Sequence, residues 1–288
     1  MFSAKKIASN EVKEVPYPEL PPNIAWLLTE TRAGLDVASV PLSLIKSWIA
    51  RGNSIDQKEN PSSSLPIIML PGFGSDERYM KPLGKHLEHL GYSTEGWGLG
   101  LNLAGADKPH TLDQLDESWN IEPYEGYNEE SYRGEAGVPF LCDLATDRVK
   151  QRSNELGSQV ILIGWSLGGY IAREVARQLS NEVAHVITLG SPIVGGPKYT
   201  RAAKFYTAKG FDLDWIEREA SKRDKLPIKQ PITALYSKTD GVVAWRAAID
   251  KISPNVTHWQ INASHLGMGF NPKVWKLIRK SLAQYGQR

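Results

Sequence analysis

Ser166 stands in Gly164-Trp165-Ser166-Leu167-Gly168-Gly169, between the apolar run SQVILIGW and the amphipathic run LGGYIAREVARQLS. A serine at the tip of a strand-to-helix turn is placed for nucleophilic chemistry. The turn is too tight for large flanking side chains, so Gly164 and Gly168 make room and the hydroxyl is left exposed. The helix that follows points its N-terminus at the serine and favours a developing negative charge there. The plainer reading is a structural turn with an incidental serine. A hydroxyl also needs an adjacent base, and there are six histidines: His86, His89, His110, His185, His258 and His265. His86 and His89 share a helix with Lys85 and Glu88 and read as a solvated face. His110 falls in an acidic stretch. His185 and His258 fall at or near strand starts, whereas sites in such sheets form beyond the carboxyl ends of strands. His265, in the small-residue loop SHLGMG after the last strand, is at the right edge.

The base in turn needs a carboxylate to fix its tautomer and stabilise its charged form. Asp240 follows the run ITALYS in the loop SKTDGVV, and Gly241 permits a tight turn beside it. Asp212 and Asp214 read better as helix caps and Asp250 as a surface residue. An acyl-transfer centre further requires two preorganised N–H donors. The backbone of Leu167 supplies one, and Phe73 in the loop Pro71-Gly72-Phe73-Gly74 is the choice for the other.

The elements that would position these groups alternate. LPIIML (65–70) reads as a buried strand and 79–90 as a helix stopped by Gly91. Further strands are expected at 92–100, 158–165, 183–191, 231–237 and 256–263, with a helix at about 139–156. The last helix is announced by Asn271 as N-cap and Pro272 at its first position. Short apolar strands alternating with helices predict an α/β fold: a mostly parallel, doubly wound sheet with helices on both faces. Two segments interrupt the pattern. Residues 101–137 carry nine carboxylates against Lys108 and Arg133, a net −7. Residues 197–226, with eight Lys/Arg against five Asp/Glu between 198 and 225, lie where a cap or lid would cover the serine. Trp165, Phe205, Phe211 and Trp215 are taken as substrate-binding, and Tyr206, Leu213 and Ile216 could join them; ordinary core packing is the competing reading. An acidic insertion beside a basic cap suggests an electrostatic latch.

The remaining organisation is an N-terminal unit, 1–64, and a main domain, 65–288. The first is a polar arm (1–22), two amphipathic helices between Ile24 and Ile49 interrupted by Pro41, and a loop (51–64), packed on the main domain.

The 288 residues are 41% hydrophobic and 23% charged, an ordinary globular balance. A net charge of +2 argues against a nucleic-acid partner. One cysteine, Cys142, excludes an intrachain disulfide framework. No metal-binding motif appears, and PGFGS matches neither a Walker loop nor GxGxxG, so no cofactor is expected. Without a signal-peptide core or an apolar stretch of about 18 residues, a cytoplasmic protein is expected. A peripheral membrane-surface contact stays open, and the oligomeric state is not legible.

In LPGFGSDERYM, GYSTEGWGLGLN, VILIGWSLGGYIAREVARQ, VITLGSPIVG, YSKTDGVVAW and ASHLGMGFNP the chain resembles bacterial lipase/esterase-like α/β-hydrolases. The order Ser166, Asp240, His265 agrees with that fold. The resemblance implies hydrolysis of small-molecule or lipid carboxylic esters by a Ser–His–Asp triad, with Phe73 and Leu167 as oxyanion donors. Two departures stand out. Pro71-Gly72 replaces the His-Gly that often braces the oxyanion loop, and 101–137 is longer than expected. An acyltransferase or thioesterase would use the same residues. A non-catalytic binding protein is disfavoured by the intact, correctly ordered set.

Overall fold

Seven strands form one sheet among the described residues: β1 (Lys5–Ile7), β2 (Ile67–Leu70), β3 (Thr94–Gly96), β4 (Val160–Trp165), β5 (Val183–Leu189), β6 (Ile232–Ser237) and β7 (Val256–Ile261). Their spatial order is β1-β7-β6-β5-β4-β2-β3. All neighbours run parallel except β1, which pairs antiparallel with β7, Lys6 opposite Trp259. The computed structural model describes residues 4–41, 65–121, 134 and 136–285. The second expected amphipathic helix, the loop 51–64 and much of the acidic insertion lie outside the described residues.

The helices are α1 (Ser9–Glu14), α2 (33–41), α3 (Glu77–His89), α4 (Gly137–Leu156), α5 (Leu167–Gln178), α6 (Ala203–Ala208), α7 (Leu213–Arg223) and α8 (Pro272–Tyr285). Because helices cover both faces of the sheet, β2, β4, β5 and β6 are buried almost throughout rather than on alternate residues. On β4, Ile161, Ile163 and Trp165 join one core cluster with Met80, Leu83, Trp275 and Ile278 of α3 and α8. Val160 and Leu162 join the opposite cluster with Leu141, Val149, Ile171 and Val175 of α4 and α5. The stripe Ile171, Val175, Leu179 is buried as its helical spacing requires. The caps are also where the side chains place them: Asn271 Oδ1 accepts from Lys273 N at 2.9 Å, and Asp212 Oδ1 from Asp214 N and Trp215 N.

Part of the N-terminal polar arm forms regular structure. Lys5–Ile7 adds an edge strand to the sheet, and α1 follows it. Asp250 departs from its expected place. It is 4% exposed rather than a surface residue, and it is paired with the buried Arg173.

His185 on β5 and His258 on β7 are buried. His185 Nε2 meets Thr233 Oγ1 at 3.0 Å, and His258 Nε2 accepts from Asp250 N at 3.1 Å. Burial pushes the first down to about 3 and the second to about 4. Both are therefore neutral in the folded chain down to pH 5, whereas the unfolded chain protonates them below about 6.5. The unfolded state then binds more protons, so stability falls as pH drops from about 6.5 towards 4. Each histidine costs about 2 kcal/mol by pH 5. Urea midpoints at pH 7.5 and pH 5.0 should show this loss; equal midpoints would contradict it.

Candidate active site

Three sequence-distant loops meet at the carboxyl ends of β4, β6 and β7. Ser166 occupies the turn between β4 and α5 with φ 54° and ψ −126°. It is one of three non-glycine residues with positive φ among those described. The turn holds because the backbone closes tightly around it. A Cβ on Gly164 would fall 2.3 Å from Gly168 O, and one on Gly168 would fall 2.2 Å from Leu70 O. Ser166 N donates to Leu189 O at the end of β5, and Ser166 O accepts from Gly169 N. The serine is thereby anchored on both sides.

Asp240 and His265 lie together. His265 Nδ1 and Asp240 Oδ2 are 2.7 Å apart, and both side chains are 2% exposed. Asp240 Oδ1 accepts from Val242 N at 2.8 Å and Val243 N at 2.7 Å, so both carboxylate oxygens are engaged. Ser166 and His265 both line a cavity of about 210 Å³, and Asp240 sits behind the histidine. Phe73 and Leu167 line the same cavity. Leu167 opens α5, so its amide has no intrahelical acceptor.

The loop bearing Phe73 is braced without the histidine of the His-Gly pattern. Asn102, fully buried, donates from Nδ2 to Pro71 O at 2.8 Å, and its amide donates to Ser75 O at 2.9 Å. Its carbonyl accepts from Gly74 N at 2.7 Å. Sequence reasoning passed over Asn102, which no local pattern singles out.

The cavity wall is mostly apolar. Trp215, Tyr206 and Ile216 of the 197–226 segment line it together with Trp119, Val138 and Tyr170. Burial raises the Tyr206 hydroxyl to about 12, so it stays a neutral hydrogen-bonding group there. Phe205, Phe211 and Leu213 are not among the lining residues, though both phenyl rings pack against residues that are. Phe205 is 47% exposed and packs on Phe73 with ring centroids 6.2 Å apart. Phe211 packs on Tyr206 at 5.2 Å. On the short α6, the side that faces inward is the one bearing Tyr206.

Trp165 lines the cavity but also has a packing role. Its ring stacks on Tyr79 at 3.6 Å, and its indole N–H donates to His265 O at 3.1 Å. The Tyr79 hydroxyl donates to Leu266 O at 2.9 Å. The residue before the serine is thus hydrogen-bonded to the histidine.

The 197–226 segment is tied to α5, while five of the nine carboxylates of the expected latch lie outside the described residues. Arg223 of α7 is 3% exposed and pairs at 3.0 Å with the equally buried Glu174 of α5. Its guanidinium lies 4.1 Å from the Trp119 ring centroid and donates to Ser118 O. Among the described residues, this ion pair joins the segment to α5 rather than to the acidic insertion. The acidic insertion supplies an aromatic face and a carbonyl.

Residues 67–281 match the model of a family described as the alpha/beta hydrolase family. Pheophytinase, chloroplastic, from Arabidopsis thaliana is 30% identical over 112 residues. That match covers 37% of this chain and 22% of the length of that relative. Among solved structures, one described under LipS and LipT, two metagenome-derived lipolytic enzymes, has a TM-score of 0.51 at 13% identity. It covers 78% of this chain and 95% of that one. A membrane phospholipase A, described as a bacterial virulence factor, has a TM-score of 0.50 at 12% identity. It covers 78% of this chain and 80% of that one. At these identities the structural likeness speaks for the fold alone. Among the described residues no helix is long and apolar enough to cross a membrane.

Proposed function

The chain belongs to the alpha/beta hydrolase family, and from that premise we propose that it cleaves carboxylic esters through an acyl-enzyme on Ser166. The observation that carries the reading is the 2.7 Å contact between His265 Nδ1 and Asp240 Oδ2, behind a cavity that Ser166 also lines. Asp240 holds Nδ1 as a donor, which leaves Nε2 free to accept the Ser166 proton. The serine Oγ attacks the ester carbonyl, and the amides of Phe73 and Leu167 stabilise the oxyanion. His265 then gives its proton to the leaving alcohol. Water, activated by the same histidine, releases the acid and frees Ser166.

The substrate carries an apolar group, because the wall formed by Trp119, Val138, Tyr170, Tyr206, Trp215 and Ile216 offers few polar partners. Residues 197–226 act as a cap over that group. The described part of the N-terminal unit, residues 4–41, packs on the main domain. A small-molecule or lipid ester suits this cavity.

The test pairs a ladder of p-nitrophenyl esters, from acetate to palmitate, with a fluorophosphonate probe. Hydrolysis with an optimum above acetate is expected, together with a single phosphonate adduct on the peptide containing Ser166. An adduct without hydrolysis of any ester would overturn the ester reading. Hydrolysis with no adduct at Ser166 would overturn the assignment of the nucleophile.

A further inference from the structure

We infer that Glu30, in the N-terminal segment ahead of the family-matched residues 67–281, is a positioning residue that sets the Asp240 and His265 loops against each other. The inference rests on the proposed serine mechanism and deepens it.

Glu30 is 8% exposed, and three backbone amides converge on its carboxylate. Oε1 accepts from Gly241 N at 2.9 Å and from His265 N at 2.9 Å. Oε2 accepts from Leu266 N at 2.8 Å. One donor is the residue after Asp240, another is His265 itself, and the third is the residue after it. A single side chain therefore spans two loops that are not consecutive in the chain. Hydrogen bonds to a carboxylate are short and strong, so the span is stiff.

The rest of the segment docks on the same loops. Thr29 Oγ1 donates to Thr239 O at 2.8 Å, just before Asp240. Arg201 donates from Nε to Gly241 O at 3.0 Å and from Nη2 to Asn23 O at 2.8 Å. Asn271 Nδ2 donates to Asp36 Oδ1 at 3.0 Å. The approach is close enough to demand a missing side chain. A Cβ on Gly241 would fall 2.5 Å from Trp26 O and 3.0 Å from Glu30 Oε1. Gly241 is thus small because this segment lies against it. Its φ is not in the left-handed region.

The histidine backbone is held from both sides. Its N–H goes to Glu30, and its carbonyl accepts from the Trp165 indole beside Ser166. The 2.7 Å Asp240–His265 contact sets the imidazole against the carboxylate. Glu30 and Trp165 set the histidine backbone against Gly241 and the nucleophile turn. Displacing reacting groups by about 1 Å costs on the order of 100-fold in rate. Glutamine at position 30 keeps the shape but replaces one acceptor oxygen by an amide that faces an N–H. With its carbonyl oxygen kept on Gly241 N and His265 N, its NH₂ meets Leu266 N donor against donor and pushes the His265 loop off.

The experiment uses the full chain with three variants, E30Q, Gly241→Ala and His265→Ala. Folding is checked by circular dichroism and thermal melting. Glu30→Gln is expected to lower kcat about 30-fold with KM within about twofold, and to slow phosphonylation of Ser166 by a similar factor. Gly241→Ala, which forces the segment away from the other side, should act in the same direction. In a His265→Ala background, Glu30→Gln should change the residual phosphonylation rate by less than about twofold, since the group it positions is gone.

Unchanged kcat and phosphonylation in folded E30Q would overturn the inference while leaving the ester reading intact. An equal loss in the His265→Ala background would also overturn it, because a residue that only stabilises the fold lowers both. Failure of both E30Q and Gly241→Ala to fold would make the segment a folding element and reject the positioning role. A wild type inert towards every ester but phosphonylated at Ser166 would instead count against the ester reading, and the phosphonylation rates would still judge Glu30.

Discussion

Replacing Ser166 by alanine should lower kcat on the preferred ester by about 10⁵- to 10⁶-fold and leave the melting temperature unchanged or higher. The two halves of this expectation have different causes. Without Oγ no acyl-enzyme forms, and what remains is binding plus polarisation of the carbonyl by Phe73 and Leu167. Stability does not follow activity down, because Ser166 is held at φ 54° and ψ −126° by its neighbours. A side chain at such a position costs about 1–3 kcal/mol. Ser166→Gly should therefore melt higher than both wild type and Ser166→Ala, while being equally inactive. The measurements are kcat with the optimal p-nitrophenyl ester and paired thermal melts. A variant retaining a tenth of the activity would remove Ser166 from the mechanism. A variant that melts well below wild type would mean that the hydroxyl supports the fold.

The parts of this site that were legible are those set by backbone geometry over a few residues. Gly164 and Gly168 mark a turn in which a Cβ would collide with backbone, so their spacing announces Ser166 without knowledge of anything distant. The largely apolar runs announce β2 and β4 to β6, because strands buried on both faces have no exposed polar side to blur them. His265 and Asp240 could be ranked only because strand ends gather on one edge of a parallel sheet. β1 was missed for the opposite reason. Lys5-Lys6-Ile7 is an exposed edge, with Lys5 and Lys6 both exposed, and its pairing comes from β7 rather than from its own pattern. Glu30 and Asn102 were missed because their partners are backbone atoms of far-off loops, and backbone leaves no mark in side-chain type. Glu30 reaches Gly241 across 211 residues. Phe205 could not be placed because α6 has six residues, too short for periodicity to say which aromatic faces inward, and Phe211 lies in the loop beyond it, where no periodicity applies.

Asp240→Asn should lower kcat by about 10⁴-fold while the fold survives, and the reason is which atoms the amide can present. Asp240 Oδ1 accepts from Val242 N and Val243 N, at 2.8 and 2.7 Å. An asparagine must keep its carbonyl oxygen there, since turning the NH₂ inwards would set donors against two amides. The NH₂ then faces His265 Nδ1, 2.7 Å from the present Oδ2. A donor at that place requires Nδ1 to accept, so the ring proton moves to Nε2. The nitrogen that should take the Ser166 proton then already carries one. Geometry is preserved and the tautomer is wrong. Asp240→Ala differs in kind. It leaves the Val242 and Val243 amides without their carboxylate acceptor, each costing about 1–3 kcal/mol if it stays buried, so it should lose both activity and stability. The comparison is kcat at pH 7.5 and urea midpoints for the two variants. Equal stability losses would show that the turn does not depend on Oδ1. An Asp240→Asn enzyme within about tenfold of wild type would show that Asp240 does not select the tautomer.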